Sequence, residues 1–320
     1  MQGLLTVIKP GPLSTLQDAG RVGVRHLGIS QGGPADLQAW GWANWLLGNN
    51  WGSPTLEITL GGLTLVAEQR CHLALCGADM QPQVNGQPLT NNQAFTLAAG
   101  DELQLGMAKC GVRAYLAVAG GFIAKPVLGS VACVMRDQLG GHLGDGSKLA
   151  VGDTLAFASS AFSSSHVADF IPRRQLPVGA LPHYEQAATL MMIPGAQFRF
   201  FDDLSLIQAF NQPWRVDPRS DRMGIRLQGP MLHCNIGSLI SEGLTLGAVQ
   251  VPPSGQPIIL LNDRQTIGGY PRLGTLTPLA CARLAQCQPG QKVRLGTCTA
   301  SQAQAQYREF RATLKGSHAL

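Results

Sequence analysis

Short apolar runs, broken every few residues by Gly, Pro, Asn or Asp, dominate the first half of the chain. Leu4 to Ile8, Thr55 to Leu60, Leu63 to Val66, His72 to Cys76, Ala94 to Leu97 and Glu102 to Leu105 are brief and rich in apolar residues and Thr, so each predicts a strand. Asn85-Gly86, between Val84 and Leu89, fits a tight hairpin turn because both residues tolerate positive φ, and Gly100-Asp101 reads the same way. Arg113 to Ala119 predicts a further strand running into Gly120-Gly121. One segment has helical spacing instead: Asp36 at the cap, then Leu37, Trp40, Asn44 and Leu47, with Gly48-Asn49 as the stop. Its Trp40, Trp42 and Trp45 are read as core packing in preference to a ligand-stacking surface.

Periodicity fades over residues 159 to 182, where serines and then Pro172, Pro177 and Pro182 accumulate. This predicts an N-terminal β subdomain over residues 1–165, a linker over 166–182 and a C-terminal β-barrel subdomain over 183–320. The second half predicts strands at Gln197 to Phe201, Gly224 to Gln228, Leu239 to Ser241, Ala248 to Val251 and Pro257 to Leu261. Helices are expected at Asp203 to Phe210, at Thr277 to Cys287 before Pro289-Gly290, and along the amphipathic tail Ser301 to Lys315. No period of a repeat architecture recurs. Closely spaced strands with few helices favour a mainly β, barrel-type fold over alternating βαβ units.

Composition agrees with that picture and narrows the function classes. The 320 residues are 45% hydrophobic and 13% charged, enough for proper cores, and 39 Gly with 20 Pro imply many turns. Net charge is +5, but no run of five like charges occurs, so nucleic acid is not an expected partner. The opening residues Met1 to Pro10 lack a charged segment followed by a long apolar stretch, and no apolar run approaches 18 residues. A soluble, cytoplasmic protein without a membrane partner is expected. The eight cysteines form no Cys-x-x-Cys pair and the seven histidines no His-x-x-x-His, so reduced, buried thiols and no metal site are expected.

Phosphate loops, Gly-x-Ser-x-Gly elbows and dinucleotide fingerprints are absent from the sequence. Three polar clusters embedded in Gly and Pro stand out instead. The first holds Asp18 and Arg21, followed by Arg25-His26 and Gly32-Gly33-Pro34-Ala35-Asp36; the second runs from Ser220 to Leu227; the third runs from Ser241-Glu242-Gly243 through Gly247 to Pro257 and on to Asp263 to Pro271. Glycines let backbone N–H groups approach a ligand closely. Arg222 and Arg264 have the planar fork that clamps a carboxylate or phosphate, and Asp221, Glu242 and Asp263 are candidates to orient those arginines or move protons. Gln250, Gln265, Thr266, Gly268, Gly269 and Tyr270, with Asp18 and Arg21, are the candidate substrate-binding set. Asp-Arg neighbours also hold ordinary turns together, so loop structure is the competing reading of each cluster. The functional reading predicts that the segments Ser220 to Arg226 and Asp263 to Gly269, at predicted strand ends, converge on one pocket.

Taken together, these residues resemble the family that holds the C component of 5-oxoprolinase and allophanate hydrolase subunit 2, also called biotin-dependent carboxyltransferase-like. The resemblance rests on Thr15 to Arg21 with Gly23, Gly33 and Asp36, Ala43-Asn44, Gly48-Asn49, Leu56-Glu57, Tyr115 to Gly121, Leu128-Gly129-Ser130, Ser220 to Gly224 with Arg226-Leu227, Ser241-Glu242-Gly243 and Gly247 to Pro271. It implies two barrel-like subdomains with cyclophilin-like topology and a few short helices. It also implies a partner of the B type and, for 5-oxoprolinase, another of the A type. Such a complex opens 5-oxoproline to glutamate at the expense of ATP, with Mg where ATP binds, on the complex as a whole. Two other readings stay open: a carboxyltransferase component acting on a urea-like amide with a separate biotin carrier, and a regulatory protein antagonising a kinase inhibitor. No Met-Lys-Met biotin attachment segment lies in this chain. Ala132-Cys133 stand where the family has a Ser-Thr pair, Asp145 where it has an Arg, and Ile267 where it often has a Thr.

Overall fold

The computed structural model describes residues 2–158, 174–236 and 239–315. They form two units, one of Met1–Val22 with Gly32–Pro182, the other of Gly23–Gln31 with His183–Leu320. Most of the boundary region read from sequence, residues 159–173, lies outside the described residues. The short piece Gly23–Gln31 joins the second unit, although its sequence position is deep in the first. Among the described residues no helix is long and apolar enough to cross a membrane.

The first unit is two antiparallel sheets around one core. Its strands are β1 (Gln2–Pro10), β2 (Leu13–Gln17), β3 (Thr55–Thr59), β4 (Leu63–Ala67), β5 (Cys71–Asp79), β6 (Gln83–Val84), β7 (Gln87–Pro88), β8 (Gln93–Leu97), β9 (Glu102–Gln104), β10 (Cys110–Val118), β11 (Phe122–Ile123) and β12 (Thr154–Ala158). One sheet runs β11-β12-β1-β4-β9-β6-β7 and the other β2-β3-β10-β5-β8. Leu5, Val7, Leu56, Ile58, Leu63, Leu65, Leu73, Leu75 and Leu116 fill the space between them. β5 and β10 are buried along nearly their whole length because helix α1 (Leu37–Leu46) covers their other face. That explains why they read as continuous apolar runs without alternation. Asp36 caps α1, accepting from the N–H groups of Gln38 at 2.9 Å and Ala39 at 3.1 Å. Trp40 and Trp42 are buried, and the Trp42 indole donates to the Ala180 carbonyl at 3.0 Å, so they pack the fold.

The second unit contains β13 (Ala188–Pro194), helix α2 (Asp203–Asn211), β14 (Trp214–Val216), β15 (Gly224–Gln228), β16 (Glu242–Gly243), β17 (Ala248–Gln250), β18 (Ile258–Leu260), β19 (Ile267–Gly268), β20 (Arg272–Leu276), helix α3 (Pro278–Leu284), β21 (Lys292–Thr297) and helix α4 (Ala300–Lys315). Seven strands close a barrel in the order β13-β20-β17-β18-β15-β14-β21, with β21 returning parallel to β13. Leu190, Met192, Trp214, Leu227, Val249, Ile259, Leu273 and Val293 fill it. β16 and β19 form a separate two-stranded ribbon. The mainly β expectation with few helices therefore holds. Two predicted strands are corrected: Gln197 to Phe201 contains one turn of 3-10 helix at Phe198–Phe200, and Leu239 to Ser241 is irregular, with pairing beginning at Glu242. Phe198 packs on the barrel core and Phe201 is buried in it, so tertiary contacts override their strand propensity.

Candidate functional site

Arg222 and Asp263, 41 residues apart, meet because β15 and β18 are antiparallel neighbours. Their ladder continues beyond the strands, with Leu261 N–H donating to Met223 at 2.9 Å and Asp263 N–H to Arg222 at 3.0 Å. The Arg222 guanidinium then grips the Asp263 carboxylate through two parallel bonds, Nε to Oδ2 at 2.9 Å and Nη2 to Oδ1 at 3.0 Å. Both side chains are nearly buried, at 8% and 10% exposure. Asp221 does something different. Its carboxylate accepts from the N–H groups of Met223 at 2.8 Å and Gly224 at 3.1 Å, shaping the turn that sends Arg222 inward.

Arg264, one residue past Asp263, is also buried. Its Nε donates to the Leu244 carbonyl at 3.3 Å and its Nη1 to the Leu261 carbonyl at 3.1 Å. Arg25, from the piece of N-terminal sequence that joins this unit, donates to the same Leu244 oxygen and to the Thr266 carbonyl. Those two residues are themselves bonded, Leu244 N–H to Thr266 O at 2.9 Å, as the ribbon runs on past β16 and β19. Ser30 donates to the Arg264 carbonyl at 3.2 Å and fastens the inserted piece. Burial first, and the nearby Arg25 charge second, bring the Arg264 guanidinium down to about 10.

The ribbon carries the remaining candidates. Glu242, paired opposite Gly268, is half-exposed and held by Arg272 and by the Gln197 amide at 3.4 Å. Arg272 also reaches the Gly243 carbonyl at 3.1 Å. Gln250 is buried and its amide nitrogen has no hydrogen-bond partner among the described residues. A Cβ on Gly268 would stand 3.0 Å from that nitrogen and 2.8 Å from a Leu244 methyl, so glycine here lets the Gln250 amide lie directly under the ribbon. Gln265 and Thr266 are half-buried at the start of β19. Gly269 and Tyr270 line a cleft of about 400 Å³ with Leu232, His233, Cys234, Ile236, Leu239, Val251 and the prolines Pro252, Pro253 and Pro271.

Asp18 and Arg21 belong to the first unit and organise one of its loops. Asp18 accepts from the Gly20 N–H at 2.9 Å, the Val131 N–H at 2.8 Å and the Ser130 hydroxyl. Arg21, fully buried, donates to the carbonyls of Val127 at 3.1 Å, Ser130 at 3.4 Å and Ala132 at 2.7 Å. Both side chains thus fix the segment Val127 to Ala132. Cys133, where the resembled family has a hydroxyl, turns its thiol to the Gly146 carbonyl at 3.2 Å.

The predicted residues therefore fall into distinct groups: Arg222 with Asp263, Arg264 beside Thr266, Glu242 beside Gly268, Gln250 under Gly268, Gly269 and Tyr270 in the cleft, and Asp18 with Arg21 in their own loop. Arg25 stands in the first polar cluster of the sequence but not in the candidate substrate-binding set, Arg272 and Gln197 stand in neither, and only the fold joins the three to the ribbon. The group offers guanidinium donors for anionic oxygens and an amide donor. Its thiols are poor nucleophiles, because burial pushes Cys281 up to about 12 and also raises Cys234. Among the described residues no cluster of three or more His, Cys, Asp or Glu forms a metal site.

Comparison with known proteins gives a consistent result. The model of the carboxyltransferase domain, subdomain A and B, matches residues 27–297. The chain is similar to the C component of 5-oxoprolinase from Escherichia coli (strain K12), 36% identical over 301 residues that cover 94% of this chain and 93% of that protein. It is similar to the C component of 5-oxoprolinase from Haemophilus influenzae, 33% identical over 291 residues, 91% of this chain and 90% of that protein. Among solved structures it resembles the urea amidolyase of K. lactis, with a TM-score of 0.90 and 25% identity over 98% of this chain and 20% of that one.

Proposed function

The chain belongs to the family of the carboxyltransferase domain, subdomains A and B, as the sequence resemblance implied, and from that premise we propose that it is the C-type component of an ATP-dependent 5-oxoprolinase. The complex opens the cyclic amide of 5-oxoproline to glutamate, with partners of the B type and the A type. The observation that carries this reading is coextension. The match fills 94% of this chain and 93% of the E. coli protein, whereas the urea amidolyase match fills only 20% of a much longer chain. A match over nearly the whole length of that component supports the same role. ATP and its Mg belong to the complex, and this chain has neither a phosphate loop nor a biotin attachment segment.

Opening a lactam places negative charge on the carbonyl oxygen, which fixed donors stabilise in the transition state. In this reading Asp263 orients Arg222, and Arg222 supplies positive charge at the reacting amide. Glu242 and Asp221 act on Arg272 and on the Met223 turn respectively, as positioning groups. Gln250, lying under Gly268, supplies an amide donor beside the substrate, and Gly269 and Tyr270 form its apolar wall. The second reading, carboxyl transfer to a urea-like amide from a separate biotin carrier, is favoured by the TM-score of 0.90 to urea amidolyase. The test is ATP hydrolysis by the reconstituted complex against a panel of small amides. Stimulation by 5-oxoproline alone is expected; stimulation by urea that requires a biotinylated carrier would replace the first reading with the second.

A further inference from the structure

Two guanidiniums in the C-terminal unit converge on one backbone oxygen. Arg264 Nε and Arg25 Nη2 both donate to the Leu244 carbonyl, so these nitrogens lie within roughly 6 Å of each other by hydrogen-bond geometry alone. Their other bonds also go to carbonyls, those of Leu261 and Thr266. The carboxylate adjacent in sequence, Asp263, is already engaged by Arg222 in a neutral pair. Among the described residues no carboxylate is paired with Arg25 or Arg264. Carbonyl dipoles carry only partial charge and do not neutralise two cations. A buried cation is costly unless an anion accompanies it, and a second cation beside it adds repulsion.

A purely architectural staple would need one such side chain and would gain nothing from the other's charge. Glutamine at position 25 would donate to the Leu244 or Thr266 carbonyl without placing a second positive charge beside a buried guanidinium. Arg25 is half-buried, on the outer side of the pair, while Arg264 is only 3% exposed beneath it. Of the two, only Arg25 therefore presents part of its surface to solvent.

We propose that Arg25 and Arg264 form a binding site for an oxyanion, a carboxylate or a phosphate, at the end of the β16–β19 ribbon. The site is defined by charge and position and does not depend on which amide the complex acts on. Arg25 approaches the anion from the solvent side and Arg264 from below. A bound anion relieves their mutual repulsion and holds the inserted piece Gly23–Gln31 against the ribbon.

The test is calorimetric titration of the full chain at constant ionic strength with inorganic phosphate and, separately, with glutamate. At least one of them is expected to bind saturably, and the tighter one identifies the source as phosphoryl or carboxylate. Arg25→Gln is expected to weaken that binding at least about tenfold, while Arg226→Gln, an exposed arginine on β15, leaves it unchanged. Labelling of the unmutated chain with phenylglyoxal gives a readout that does not rely on a folded variant. Modification of Arg25, followed by mass spectrometry, is expected to slow at least about fivefold in the tighter-binding anion. Binding of neither anion, equal binding by Arg25→Gln, or an unprotected Arg25 would each overturn the proposal.

Discussion

Truncating Arg222 to alanine leaves Asp263 buried without its cation, and the expected loss follows from that geometry. The pair is bidentate, with bonds of 2.9 and 3.0 Å, and both side chains are about nine-tenths buried. Removing one member of such a pair costs roughly 3 to 5 kcal/mol when burial is complete, and residual solvent access here places the loss near the lower end, about 3 kcal/mol. With an m-value of about 2 kcal/mol per M for a unit of this size, the urea midpoint falls by about 1.5 M. Arg222→Lys keeps the charge but cannot reproduce two parallel bonds, so it should lose about half as much. Replacing both residues by leucine should recover most of the stability, because neither charge is then stranded. The assay is urea unfolding of the four proteins, followed by far-UV circular dichroism. An Arg222→Ala midpoint within about 0.3 M of the parent, or a double leucine variant no more stable than Arg222→Ala, would refute the claim that the two side chains act as one unit. In a complex held well below its unfolding transition, the same substitution is expected to slow turnover about 30-fold to 1000-fold if Arg222 serves the transition state. Unchanged turnover would remove that role and leave the structural one.

Three further outcomes follow from individual positions. Asp36→Ala uncaps α1 and should cost about 1 kcal/mol, a fall of a few degrees in the melting temperature measured by calorimetry. Gly140→Ala forces a Cβ to within 2.1 Å of the Ala132 carbonyl and 2.5 Å of Arg21 Nη2 at φ +69°, and should loosen the Val127 to Ala132 segment enough to be cleaved in limited proteolysis that spares the parent. Asp217 is held well below its ordinary value of 3.8, first by its hydrogen bonds to Arg219 and against the desolvation of its buried site. Its folded value is depressed, so its stabilisation is present above about pH 4 and disappears as pH falls towards the folded value. Asp217→Asn should therefore melt lower than the parent at pH 6, with the gap narrowing below about pH 4; a gap that is constant with pH would contradict the assignment.

The sequence was most informative where the local signal and the tertiary structure agree. Asn85 and Gly86 have φ of 50° and 76°, as the hairpin reading required, and Asp36 caps the helix it was expected to cap. β2 was hidden because Ser14, Thr15 and Gln17 are buried polar residues in the ladder, satisfied by contacts such as Gln17 to the Cys133 carbonyl at 3.0 Å. No alternation of apolar and polar residues marks such a strand. β21 does alternate, with Val293 and Leu295 buried, but these two are its only apolar residues among Lys292, Arg294, Gly296 and Thr297, so it does not stand out beside Pro289-Gly290. Composition pointed to the segments that hold Arg222, Asp263 and the ribbon, and antiparallel pairing of β15 with β18 brings the first two together. Arg25 illustrates the limit. Nothing near it in the chain predicts that a nine-residue piece of the first half joins the second unit.

The most direct test of the proposed role is ATP hydrolysis dependent on 5-oxoproline, measured for this chain alone and for the chain reconstituted with the A-type and B-type partners proposed for it. Polar groups without a nucleophile, a base and a phosphate loop are what one part of a shared site would carry. The isolated chain is expected to show no 5-oxoproline-dependent hydrolysis, and the complete complex robust hydrolysis coupled to glutamate release. Full activity from the isolated chain, or a complete complex inert towards 5-oxoproline, would contradict that role.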